Sequence, residues 1–226
     1  MSQDVRHSMR HEDANPVGAN VNRRVTYSHE LPKTAADAAF LASQQGKINV
    51  SMIALVGCWG CTLSFLDMDE RLLGLLDKIT ILRSSLTDIK RIPQRCMIGF
   101  IEGGVASEEN IETLKHFRDN CDILISVGAC AIWGGVPSMR NMIALADCLD
   151  EAYVHSITAL PGVIAIIPNH PDLPRVTTKV YPCHEVVKMD YFIPGCPPDG
   201  DAIFKVLDDL VNGRPVDLPS AINRYD

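Results

Sequence analysis

The chain has 226 residues, 46% of them hydrophobic and 22% charged, with a net charge of −7: enough apolar content for one sizeable α/β core, and no basic stripe for a nucleic-acid partner. No apolar run approaches the roughly 20 residues that span a bilayer, and Arg23-Arg24 is followed by the polar Val25-Thr26-Tyr27-Ser28-His29-Glu30 rather than by an export-signal core. Neither a membrane nor export is expected, and in a cytoplasmic chain eight cysteines are better explained by metal ligation and burial than by a disulfide framework.

Residues 1–46 are polar and punctuated by Pro16, Gly18, Pro32 and Gly46. They read as an N-terminal arm, either a loosely packed extension or a segment that orders on a partner subunit. Residues 47–226 read as one folded domain. Its first strand, Ile48 to Val56, is rich in β-branched residues and runs into Gly57-Cys58-Trp59-Gly60-Cys61-Thr62-Leu63-Ser64-Phe65-Leu66-Asp67, where a strand turns into a helix. A helix start offers free amides and partial positive charge, which favour thiolates and suit an anionic metal centre. The pair alone fits an iron-sulfur cluster completed by distant cysteines, a thioredoxin-like dithiol, or half of a zinc site.

Phe65, Met68, Leu72, Leu75, Leu76 and Ile79 then recur at helical spacing, so one long helix packed on a sheet is expected. A short strand over Ile79 to Leu82 and a basic connection with Arg83, Lys90, Arg91 and Arg95 follow. The next strand, Cys96 to Ile101, ends at Glu102-Gly103-Gly104. Ser107 caps a helix with Glu108 and Glu109 in its first turn and Ile111, Leu114 and Phe117 on its buried stripe. Asp122 to Val127 is a further strand, leading into Gly128-Ala129-Cys130-Ala131-Ile132-Trp133-Gly134-Gly135. A helical stretch around Met139 to Leu149 and an apolar strand over Val163 to Ile167 come next. A proline-rich loop region then carries Pro194-Gly195-Cys196-Pro197-Pro198, and an amphipathic helix through Ile203, Val206, Leu207, Leu210 and Val211 stops near Gly213 and Pro215. This alternation predicts an α/β fold with a doubly wound parallel sheet and a loop-rich C-terminal segment. Right-handed crossovers carry Cys58, Cys61, Cys130 and Glu102 to one carboxyl edge, where Gly128, Gly134 and Gly135 allow close approach to a bulky group.

Cys58-x-x-Cys61 after the first strand, Gly128-x-Cys130 with Gly134-Gly135, and Gly195-Cys196-Pro197-Pro198 together resemble the proximal-cluster signature of nickel-iron hydrogenase small subunits, over nearly all of residues 48–226. The runs Cys58 to Asp67 and Leu82 to Lys90 look most like the soluble NAD-reducing branch. The resemblance implies a flavodoxin-like fold and one 4Fe-4S cluster on Cys58, Cys61, Cys130 and Cys196, with Glu102 near it or near a proton path; Trp59 and Trp133, close to the cysteines, are candidates to shield the cluster or to be buried against a partner. It implies electron transfer between a nickel-iron centre in a separate large subunit and diaphorase subunits carrying FMN, iron-sulfur clusters and NAD. It also implies that this chain alone performs no hydrogen catalysis. Another soluble nickel-iron hydrogenase is the alternative within the same resemblance.

Two departures from the membrane-bound and periplasmic hydrogenases support a cytoplasmic expectation: no export signal, and an end about thirty residues after Pro198 that leaves no room for their cysteine-rich C-terminal domain. The quinone-reductase subunit of respiratory complex I has adjacent cysteines in its first motif, whereas Trp59 and Gly60 intervene here. A dithiol protein leaves Cys130 and Cys196 unexplained, and a structural zinc site calls for a second Cys-x-x-Cys. Cys96, Cys121, Cys148 and Cys183 lie in or beside apolar segments and read as small buried hydrophobes, with Cys183 the rival of Cys196 as fourth ligand. The residues lend no support to FMN bound on this chain, because cysteines occupy the loop where a phosphate-binding run of Ser, Thr and Gly would sit.

Overall fold

Strand β1 (Ile48–Ala54) lies inside the sheet, with strands on both sides, because its β-branched residues can be buried on both faces, as a parallel sheet requires. The computed structural model describes residues 46–222 apart from 86, 88, 90, 159, 161 and 163, so the expected N-terminal arm lies outside the described residues. Strand β1 is followed by helices α1 (Gly60–Leu66) and α2 (Glu70–Leu76), strand β2 (Ile79–Ile81), strands β3 (Cys96–Glu102) and β4 (Val105–Ser107), and helix α3 (Glu108–Asn120). Strand β5 (Cys121–Val127), helices α4 (Gly128–Trp133) and α5 (Leu145–Tyr153), strands β6 (Val176–Tyr181) and β7 (Tyr191–Ile193), and helix α6 (Gly200–Val211) complete the order.

The main sheet has five strands in the order β2-β1-β3-β5-β7, and every pairing is parallel. Counting only its own strands, this is the 2-1-3-4-5 order of doubly wound flavodoxin-like folds, with the order reversing between β1 and β3. One face packs Val50, Met52, Ile98, Phe100 and Ile125 against Phe65, Leu75, Ile203 and Leu207 from α1, α2 and α6. The other packs Ile101 and Leu124 against Ile111, Leu114 and Phe117 of α3.

The sequence expectations hold for the sheet's first four strands, for α3 with Ser107 accepting a hydrogen bond from the Asn110 amide, and for α6. Three expectations change. The long helix after Cys61 is two helices, broken where Asp69 adopts φ +52°. The stretch around Met139 to Leu149 divides into a 3-10 turn, Val136–Met142, and α5. The strand expected over Val163 to Ile167 does not form: residues 164–167 have no regular structure, and 163 lies outside the described residues. Its place as fifth strand goes to β7, within a stretch that reads as loop because only three residues are extended. Asp190 secures β7 beside β5, since its carboxylate takes a hydrogen bond from the Leu124 amide at 2.9 Å and an ion pair from Arg118 at 2.7 Å.

Candidate metal centre

Parallel strands bring their following loops to one edge, and here the loops after β1, β5 and β7 carry the cysteines. At the first, Trp59 holds a left-handed φ of +68°, so the chain turns sharply enough to begin α1 at Gly60, and the Gly60 amide points at Cys58 Sγ, 3.4 Å away. Trp59 has no side-chain cap to offer the helix. Glu102, at the end of β3, takes that role from across the sheet: its carboxylate accepts the Cys61 amide at 3.3 Å, the Thr62 amide at 2.8 Å and the Thr62 hydroxyl at 2.7 Å. Free amides at a helix start need such an acceptor.

The second loop is tied to the third. The Ala129 amide donates to the Gly195 carbonyl at 2.9 Å, which sets the start of α4, with Cys130, against the turn that carries Cys196. Gly128 sits between them with φ +81°, and a Cβ there would lie 2.3 Å from Cys61 Sγ and 3.7 Å from Pro198 Cδ. A Cβ on Gly135 would lie 2.8 Å from Cys130 Sγ. Gly134, expected to serve the same approach, instead accommodates Ser138, whose Cβ lies 2.6 Å from where a Gly134 Cβ would be. The glycine that sequence reasoning passed over is Gly60, 3.2 Å from Cys58 Sγ by the same measure; its place inside the Cys-x-x-Cys pair was the available signal.

Cys58, Cys61, Cys130 and Cys196 are therefore gathered at one edge, with Cys58 and Cys196 exposed and the other two half-buried. Burial, then the Glu102 charge, then the thiols of Cys130, Cys58 and Cys196 push the Cys61 thiol far above its ordinary range. Burial, followed by Cys196 and Cys58, raises that of Cys130. For Cys61 and Cys130 this runs against the sequence expectation of thiolates favoured by helix starts: two short helices do not offset desolvation, the Glu102 charge and the neighbouring thiols. A thioredoxin-like dithiol uses only two thiols and leaves Cys130 and Cys196, brought to the same edge, without a role. Four thiols that repel one another as anions are a fitting donor set for a cationic inorganic group that neutralises them, and the Gly128 and Gly135 cradles leave room for its bulk. Among the described residues no three His, Cys, Asp or Glu side chains are placed to hold a single metal ion.

Cys183 does not join the group. It is fully buried, donates to the Gly103 carbonyl at 3.4 Å, and burial pushes its thiol up to about 12. Cys96 and Cys121 are buried opposite one another on β3 and β5, at the far end of the sheet. Cys148 is half-buried on α5. Trp59 and Trp133, on two of the cysteine-bearing loops, are 48% and 45% exposed.

Residues 58–210 match the family described as NADH ubiquinone oxidoreductase, 20 kDa subunit. The chain belongs to this family. Its similarity extends to hydrogenase subunits within it: it is 78% identical to the NAD-reducing hydrogenase HoxS subunit delta of Cupriavidus necator, over 88% of this chain and 95% of that one. It is 36% identical to one subunit of the F420-non-reducing hydrogenase of Methanothermobacter marburgensis, over 77% of this chain and 56% of that protein. A solved NAD+-reducing [NiFe]-hydrogenase in its H2-reduced state contains a chain with 43% identity and a TM-score of 0.76, matched over 80% of this chain and 99% of the other. The hydrogenase small-subunit resemblance read from the cysteine motifs is thereby established as the family, and the parallel five-stranded sheet as its fold. Among the described residues no helix is long and apolar enough to cross a membrane.

Proposed function

We propose that this chain is the electron-transfer subunit of a cytoplasmic NAD-reducing nickel-iron hydrogenase and holds one 4Fe-4S cluster through Cys58, Cys61, Cys130 and Cys196. The observation that carries the reading is the convergence of these four thiols, from loops as far apart as residues 58 and 196, around glycines that keep side chains out of the space. When bound, such a cluster supplies a one-electron carrier between a nickel-iron centre in a large subunit and a diaphorase module with FMN, iron-sulfur clusters and NAD. The residues of this chain do the holding. The Glu102 carboxylate fixes the start of α1 and hence Cys61, the Ala129–Gly195 hydrogen bond fixes Cys130 relative to Cys196, and Pro197 and Pro198 stiffen the exposed Cys196. Trp59 and Trp133 are half-exposed where a partner must approach, and aromatic residues in that setting are common interface anchors.

With the four thiols of this edge as the ligand set of one cluster, the remaining cysteines, Cys96, Cys121 and Cys183 buried and Cys148 half-buried on α5, lie apart from it, and hydrogen activation falls to a partner. Anaerobic purification followed by iron and acid-labile sulfide analysis tests the cluster: both are expected in equal amounts, and zinc alone would defeat the reading. Hydrogen-dependent dye reduction is expected only when the nickel-containing large subunit is present, and NAD reduction only when the diaphorase subunits are added. Dye reduction by the cluster-loaded chain free of that partner would contradict the assignment as a carrier.

A further inference from the structure

Glu102 is only 6% exposed, and among the described residues no basic side chain pairs with it; its hydrogen bonds come from the Cys61 and Thr62 amides and the Thr62 hydroxyl. A buried carboxylate so held contributes a fixed negative charge rather than half of an ion pair. Its Oε1 accepts the Cys61 amide at 3.3 Å, so the charge is held directly against the residue that carries one of the four thiols. It has a second effect through the same bonds. Amides that donate to cluster sulfurs favour the reduced, more negative state, and the Cys61 and Thr62 amides are committed to Glu102 instead.

We propose that Glu102 is a positioning residue that lowers the reduction potential of the centre held by Cys58, Cys61, Cys130 and Cys196. The proposal rests on the cluster reading above. One-electron reduction adds negative charge beside a carboxylate already fixed in place, so the oxidised form is favoured. Removing that charge favours the reduced form. A low potential suits a carrier whose final acceptor is a nicotinamide, because electrons must leave it with little loss of driving force.

The test is a potentiometric titration followed by electron paramagnetic resonance on the anaerobically purified complex, with two variants. Glu102→Gln keeps an oxygen to accept the Thr62 amide but removes the charge, and is expected to shift the reduction equilibrium about tenfold toward the reduced form, about 59 mV for one electron. Glu102→Asp keeps the charge with a shorter reach, and is expected to stay within about twofold of the unaltered protein. Equal potentials in Glu102→Gln and the unaltered protein overturn the proposal, as does an equal shift in both variants. Loss of iron from Glu102→Gln with retention in Glu102→Asp would leave Glu102 a purely structural cap and overturn it too. A reducible cluster missing from the unaltered protein would instead defeat the cluster reading, and the proposal with it, so the two failures are told apart by that control.

Discussion

Cysteine serves two separate purposes in this chain, and burial distinguishes them. Cys183 keeps its proton because burial takes it away from the water that would stabilise its thiolate, which pushes it from 9.0 to about 12. Between those values the unfolded chain sheds a proton that the folded chain retains, so the associated stability is fully present below about pH 9 and is lost as pH rises through the folded value. The loss should approach about 1.4 kcal/mol per pH unit, the limit for one group. Urea unfolding of the iron-free chain at a series of alkaline pH values should show this slope, and Cys183→Ala should flatten it; parallel slopes would mean that Cys183 titrates normally. For the edge cysteines, Ser at any one of Cys58, Cys61, Cys130 or Cys196 should remove iron or change the cluster type, while Cys96→Ser and Cys121→Ser leave the spectrum intact. An unaltered 4Fe-4S signal in Cys196→Ser would disprove that ligand set.

At the scale of elements, the site depends on how closely three loops approach, and Gly128 is the tightest point. Its φ of +81° is already costly for any other residue, and an added Cβ 2.3 Å from Cys61 Sγ must push that thiol from its place. Gly128→Ala should therefore lose most of its iron although every cysteine is present, and iron analysis of the purified protein measures it. Ser107→Ala, at the start of α3 and remote from the cysteines, provides the contrast. Removing the hydroxyl that accepts the Asn110 amide at 3.2 Å should cost about 1 kcal/mol of unfolding free energy and no iron. A Gly128→Ala protein with full iron content would show that the loops are looser than their contacts imply.

At the scale of the molecule, many large apolar side chains are exposed among the described residues. From Val136 through Leu173, Met142 is 91% exposed and Ile164 86%, and Met139, Ile157, Leu160 and Ile166 are exposed alongside them. Abundant exposed apolar side chains are a mark of protein interfaces, and this stretch of chain follows Trp133, three residues after Cys130. The proposed large subunit should cover it. Ile164→Asp should weaken association with that subunit at least tenfold, read as its loss during co-purification, without changing the iron content of this chain. Undiminished association would move the interface elsewhere.

Much of this was legible in the residues themselves. The β-branched runs separated by amphipathic helices determine a parallel α/β sheet because strand and helix periods are local properties. The positions of Cys58, Cys61 and Cys130 at the ends of strands place them at one edge of any such sheet, and prolines hold Cys196 in a turn whatever surrounds it. Tertiary structure alone decided the rest. A three-residue strand such as β7 has too short a period to detect and exists because β5 and Asp190 hold it. The apolar stretch expected as a strand at Val163 to Ile167 shows why pattern fails there: Ile164 and Ile166 are left exposed, yet have the same composition as residues destined for the core. That the carboxylate of Glu102, 40 residues beyond Thr62, caps the helix bearing Cys61 follows from the pairing of β1 with β3, which no local reading of either segment contains.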